Sequence, residues 1–273
     1  MSIFHNPICV LLSFLFLLST SITSQANSPQ KIEQLSDGAA INIAGRQRML
    51  SERMVKAYIQ LSIEVDMQKA EVQLRDATVL FEQQLKQLIA YAPTTNITHN
   101  LDAARQQWLK VSVIIQAAPQ VEKIPELIIL GEQLVAKSHQ VVLNIQQFSG
   151  SSSAKLVNTS GRQRMLSQRM AKYYFAHLAG QRQDDTVTRF ENSLAEFEKG
   201  LSDLTAATEN TAAINQALKK VDAQLRFSKS GFSRLDEGEY APHVISRTTE
   251  SILKRMEDIT HQYQSLHDTL KAG

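Results

Sequence analysis

Cysteine is nearly absent: Cys9 is the single one in 273 residues. It falls in an apolar N-terminal run, so a chain cleaved after that run carries no thiol. That excludes a disulfide framework, a thiolate nucleophile and a cysteine-ligated metal. Aromatic residues make up 6 % and Trp occurs once, too little for a platform on which bases stack. Gly (10) and Pro (6) are scarce, while Gln, Leu, Ala, Lys and Glu are frequent, which favours helix over a sandwich or barrel. No HExxH or carboxylate–histidine cluster appears; His139, His177, His243, His261 and His267 are scattered and read as surface or capping residues. Asp184-Asp185 and Asp236-Glu237-x-Glu239 lack calcium-loop spacing and read as loop acids. Ser51 and Ser167 have no base nearby in sequence. The chain is therefore read as non-enzymatic, with no catalytic residue, metal or cofactor.

Residues 1–26 read as a signal peptide. An apolar run from Ile8 to Leu18 precedes Ser24-Gln25-Ala26, with small side chains at −3 and −1 of a cleavage point before Asn27. The run is short for a membrane span, which needs roughly 20 apolar residues. The alternative is an inner-membrane anchor over residues 8–23. Either way, the expected location is periplasmic.

What the sequence does contain is a repeat. Residues 41–58 read INIAGRQRMLSERMVKAY and residues 157–174 read VNTSGRQRMLSQRMAKYY, 12 identities in 18 at an offset of 116. The same offset carries Phe81-Glu82 onto Phe197-Glu198, Leu85 onto Leu201 and Leu88 onto Leu204. Trp108 and Phe227 are paired at a slightly larger offset and expected in the core of the third helix of each unit. The units are 27–150 and 151–273. In the first, helices are expected over 30–63, 68–91, 97–118 and 123–148. In the second, breaks are expected near Gly180–Asp185, Thr205–Thr211 and Gly231–Pro242. Short connections predict two tandem four-helix up-down bundles, all-α, forming a pseudo-twofold pair.

On a helical projection Ile43, Leu50, Met54 and Leu61 share a stripe expected to face the core. The opposite face carries Asn42, Gly45, Arg48, Met49, Glu52, Arg53 and Lys56. Its counterpart carries Asn158, Gly161, Arg164, Met165, Gln168, Arg169 and Lys172. A mid-helix Gly costs about 1 kcal/mol against Ala, a cost expected where a backbone or ligand comes close. Residues 41–56 and 157–172 hold eight of the 29 Lys and Arg but one of the 27 Asp and Glu. Two such faces brought together form a basic slot that an anion or carboxylates must neutralise. Arg suits planar oxyanions because its fork donates two parallel hydrogen bonds. Two other readings stand beside this one: an intrahelical network of Glu52 with Arg48 and Lys56, and a protein-interaction face.

The string Asn42-Ile-Ala-Gly45-Arg-Gln-Arg48-Met-Leu-Ser51-Glu-Arg53, repeated from Asn158 to Arg169, resembles the sensor domain of NarX/NarQ nitrate–nitrite histidine kinases. It is similar also to the N-terminal domain of PilJ-type methyl-accepting chemotaxis transducers. The resemblance implies that the motif helices meet around one anion. Arg48 and Arg164 would be its main ligands, Gly45 and Gly161 would lie beside it, and Arg53 and Arg169 would support the site; Asn42 and Asn158 complete the candidate set. Ile43 and Thr159 stand where the sensors carry lysine, and Ser160 stands for Ala44 in the second copy. No kinase, HAMP or methylation segment follows in the sequence. The expectation is a sensor of a small oxyanion, nitrate or nitrite, that reports to a separate membrane receptor or kinase. The alternative is an interaction module of a type IV pilus or chemosensory system. Neither reading involves nucleic acid, and a homodimer is compatible with both.

Overall fold

A computed structural model describes residues 35–181, 185–232 and 242–272, with side chains left aside at 229–232 and 272. The expected signal segment, Cys9, Asp184 and Asp236–Glu239 lie outside the described residues. Among the described residues eight α-helices follow one another: α1 Asp37–Ser62, α2 Met67–Tyr91, α3 Thr95–Ile115, α4 Ile124–Ser149, α5 Ser152–Leu178, α6 Asp185–Thr205, α7 Ala212–Phe232 and α8 Pro242–Ala272. No strand occurs among the described residues.

The helix starts are written in local chemistry. The hydroxyls of Ser36, Thr94, Ser151 and Thr211 accept from backbone N–H groups three residues on, at 3.0–3.3 Å, closing donors that the first turn leaves open. Pro125 sits in the first turn of α4, where its missing N–H has no partner to lose. Between α4 and α5 the chain turns at Gly150, whose φ of +70° is the left-handed conformation glycine adopts without strain.

The described residues form one compact unit. Within it α1 packs on α2 and α4, and α3 on α4; α5 packs on α6 and α8, and α7 on α8. The second set thus repeats the packing order of the first. The most extensive contact of all is between the two motif helices, α1 and α5. The pairs aligned by the 116-residue offset, Phe81/Phe197, Leu85/Leu201 and Leu88/Leu204, are all buried.

Two sequence expectations are corrected. Phe227 is 84 % exposed, whereas Trp108 is 4 % exposed and packs against Phe81 with ring centroids 4.7 Å apart. The inward stripe of α7 is Ile214, Leu218, Val221, Leu225 and Ser228, so Leu225 takes the place of Trp108 and Phe227 falls off the stripe. Nor are α1 and α5 amphipathic in the expected sense. Ile43 and Leu61 are only partly buried, while Arg48, Glu52 and Lys56 on the polar face are at most 1 % exposed. Each motif helix has neighbours all round, and its polar face points at the other motif helix.

Candidate functional site

The glycines of the two motif helices face each other. A Cβ added to Gly45 would lie 3.8 Å from the Cα of Gly161, and the reverse distance is the same. That same added atom would stand 3.3 Å from Arg48 Nη2 and 3.4 Å from Arg164 Nη2. The two guanidinium groups therefore converge on the space left by the missing side chains.

Both arginines are fully buried. Arg48 Nη2 donates across the interface to Asn158 Oδ1 at 2.8 Å and to its carbonyl oxygen at 3.3 Å. Arg164 Nη2 donates to the Asn42 carbonyl at 3.1 Å. Each asparagine is held in turn from the last helix of the opposite set: Asn42 Nδ2 donates to Gln264 Oε1, and Asn158 Nδ2 to Gln146 Oε1, both at 2.6 Å. The Nε–H groups of Arg48 and Arg164 are buried with no hydrogen-bond partner, a cost of about 1–3 kcal/mol for each orphaned donor.

The pseudo-symmetry breaks at one point. Helices α4 and α8 correspond at an offset of 118: Glu132 with Glu250, Gln146 with Gln264, and His139 with Glu257. Arg164 Nη1 donates to Glu257 Oε2 at 2.7 Å, a charge pair between a buried guanidinium and a partly exposed carboxylate. Arg48 Nη1 meets His139 Nδ1 at 3.0 Å instead. Arginine has no acceptor, so Nδ1 is the unprotonated ring nitrogen. Burial, helped by Arg48, Arg162 and Arg169, pushes His139 down to about 4, so it is neutral at pH 7. Burial presses Arg48 down to about 9, with Arg162 and Arg169 adding to it, and it still carries its charge at pH 7. Among the described residues no carboxylate pairs with Arg48.

About two turns further along lies a second layer. Lys172 pairs with Glu52 at 2.8 Å, and Lys56 Nζ donates to Gln168 Oε1 and Glu250 Oε1, both at 2.8 Å. Arg53 donates to Glu250 at 2.6 Å and Arg169 to Glu52 at 2.7 Å. Glu52 thus pairs across the interface with α5, and the intrahelical network with Arg48 and Lys56 is not what forms. Burial would raise the Glu52 carboxyl, but Lys172 and Arg169 outweigh it and hold it below its ordinary range.

Of the sequence-selected residues, Gly45, Gly161, Arg48, Arg164, Asn42 and Asn158 meet at one place. Arg53 and Arg169 are clamped by carboxylates in the second layer instead. The residues that sequence reasoning passed over are His139, read as surface or capping, and Glu257; the α4–α8 correspondence is the signal that finds them. His267, also read as surface or capping, is buried, with Nδ1 2.8 Å from the Ser153 hydroxyl. An open groove of about 640 Å³ between α1, α2 and α8 reaches Arg46, Arg53, Glu250 and Glu257. No helix among the described residues is long and apolar enough to cross a membrane.

Of the two families that the motif resembles, one has a model that matches. The model described as type IV pili methyl-accepting chemotaxis transducer N-term, PilJ, covers residues 32–126 and 146–229, and each segment contains one motif helix. No curated protein and no solved structure matches the chain. With more than half of its length matched, in two copies, the chain belongs to the PilJ family of transducer N-terminal domains.

Proposed function

We propose that this chain is an exported sensory module of a chemosensory or type IV pilus system that binds one small planar oxyanion, of the nitrate, nitrite or carboxylate class, where α1 crosses α5. It passes the signal to a separate membrane partner. The observation that carries this reading is Arg48: a fully buried guanidinium with a neutral histidine where its counterpart has a carboxylate, and with an unpartnered Nε–H. An uncompensated buried charge is costly, and an anion at the crossing removes that cost. Arg48 and Arg164, converging beside Gly45 and Gly161, offer it donors from both helices. Asn42 and Asn158 hold the arginines, and Arg53 and Arg169 fix the relative register of the helices.

A second reading has its own support. Glu52, Glu250 and Glu257 already neutralise most of the buried cations, so the fold stands without a ligand and the chain could act as an interaction module alone. Thermal unfolding of the mature protein separates the two. Binding at a hundredfold excess over Kd stabilises the native state by about 2.7 kcal/mol, a rise of about 5 °C or more at this size. Nitrate, nitrite or formate should give that rise, and chloride at equal ionic strength should not. Calorimetric titration should then find one anion per chain. Equal responses to all salts, or an unchanged response in an Arg48→Ala Arg164→Ala chain, favours the interaction module.

A further inference from the structure

The crossing of α1 and α5 is not symmetric, with Glu257 beside Arg164 and His139 beside Arg48. We infer that the anion sits on the Arg48 half of the crossing, off the pseudo-twofold axis, and that Glu257 is the chain's own carboxylate filling the corresponding place on the Arg164 half. The inference rests on the oxyanion reading above.

The geometry is a comparison of like with like. The same guanidinium nitrogen, Nη1, reaches the same position of the corresponding helix in each copy: Glu257 Oε2 at 2.7 Å for Arg164 and His139 Nδ1 at 3.0 Å for Arg48. The neighbouring positions keep the correspondence. Gln146 and Gln264 both hold an asparagine at 2.6 Å. Glu132 and Glu250 both face the lysine of the opposite copy's register, at 3.8 Å from Lys172 and 2.8 Å from Lys56. Only the position beside the arginine changes from acid to imidazole. One carboxylate was thus withheld from a site whose twin retains it.

The charges follow the same division. Glu257 serves both Arg164 and Arg46. Arg162, the counterpart of Arg46, pairs outward with Glu196 at 2.7 Å. That leaves Arg48 as the buried guanidinium without a negative partner among the described residues. His139 is partly exposed, so an ion can reach this half from solvent along α4. The occupant stands in for a side-chain carboxylate. It should therefore be a monoanion with two oxygens in one plane, such as formate, acetate, nitrite or nitrate, rather than a phosphate or sulfate.

Three variants test this: His139→Glu, His139→Gln and Glu257→Gln, each titrated with formate, nitrite and nitrate by calorimetry and followed by thermal unfolding at low ionic strength. His139→Glu should supply the missing carboxylate. Its midpoint should rise by about 3–6 °C without ligand, and its anion affinity should fall at least tenfold. His139→Gln, similar in size and uncharged, should not raise the midpoint. Glu257→Gln should lower the midpoint and take up two anions per chain instead of one. An anion response retained in His139→Glu, or a single anion bound by Glu257→Gln, overturns the off-axis site while leaving the oxyanion reading in place. If the parent chain responds to no anion, the oxyanion reading fails by itself. The ligand-free midpoints then still decide whether Arg48 lacks a carboxylate: no rise in His139→Glu overturns that too.

Discussion

Glu52 on α1 and Lys172 on α5 form an ion pair at 2.8 Å with both side chains 1 % exposed. Removing one member of such a pair leaves a buried charge uncompensated, which costs about 3–5 kcal/mol. Glu52→Gln also strips Arg169 of its acceptor, while Lys172 keeps only the more distant Glu132 at 3.8 Å. Urea unfolding should show a loss in that range, and Glu52→Gln with Lys172→Met should recover much of it. A loss below 1 kcal/mol for Glu52→Gln alone would mean that the pair does not hold the two helices together.

The glycines make a sharper claim. At Gly45 an added Cβ would lie 3.3 Å and 3.4 Å from the two guanidinium Nη2 atoms, and at Gly161 3.2 Å and 3.6 Å. These atoms end flexible side chains, so they shift rather than force the helices apart. Ala also gains up to about 1 kcal/mol of helix propensity over Gly. Gly45→Ala and Gly161→Ala should therefore fold with stability within about 1 kcal/mol of the parent, yet bind anion at least tenfold more weakly. Equal affinity by calorimetry would show that the ligand does not approach the crossing.

How much of this was legible in the sequence differs by feature. The all-helical class and most helix ends were, because capping hydroxyls and a 116-residue repeat mark them locally. The meeting of Arg48, Arg164, Gly45 and Gly161 was legible too, since these positions are identical in both copies. The carboxylate partners were not. Glu132, Glu250 and Glu257 come from helices far along the chain, and an acid opposite a buried base carries no local periodicity. Phe227 was misplaced for a related reason: it stands two residues beyond Leu225, and two steps on a helix turn a side chain by about 200°, from core to solvent.

Acid should expose His139. Burial comes first among the causes that depress it to about 4, followed by Arg48 on α1 and Arg162 and Arg169 on α5. Its unfolded value is near 6.5. Between pH 6.5 and 4 the unfolded chain then binds the extra proton, so stability falls as pH drops, by at most about 1.4 kcal/mol per unit. His261 and His267 are also depressed, chiefly by burial, and add slope of the same sign. The decisive quantity is therefore the difference between the parent and His139→Gln, which should shrink steadily from pH 7 to pH 4.5. Parallel curves for the two would place the imidazole outside the buried network.

The second layer makes the last prediction, about a charge rather than a ligand. Gln168 is the one departure from Glu52 on the repeated polar face, and it is fully buried with its Nε2 unpartnered. Its Oε1 already receives Lys56 Nζ at 2.8 Å. Burial drives Lys56 down to about 8 even though Glu250 pulls the other way, so this cation is incompletely compensated. Around it stand Arg53, Lys56, Arg169 and Lys172 against Glu52, Glu250 and the more distant Glu132. Gln168→Glu keeps the shape, removes an orphan donor worth about 1–3 kcal/mol and brings acids and bases to equal number. It should stabilise the fold at pH 7 by about 1–2 kcal/mol and return the Lys56 titration, followed by heteronuclear NMR, towards its ordinary value of about 10.4. Destabilisation would mean that repulsion from Glu52 and Glu250 outweighs the new pair, and that glutamine at this position is what lets the two motif helices close together.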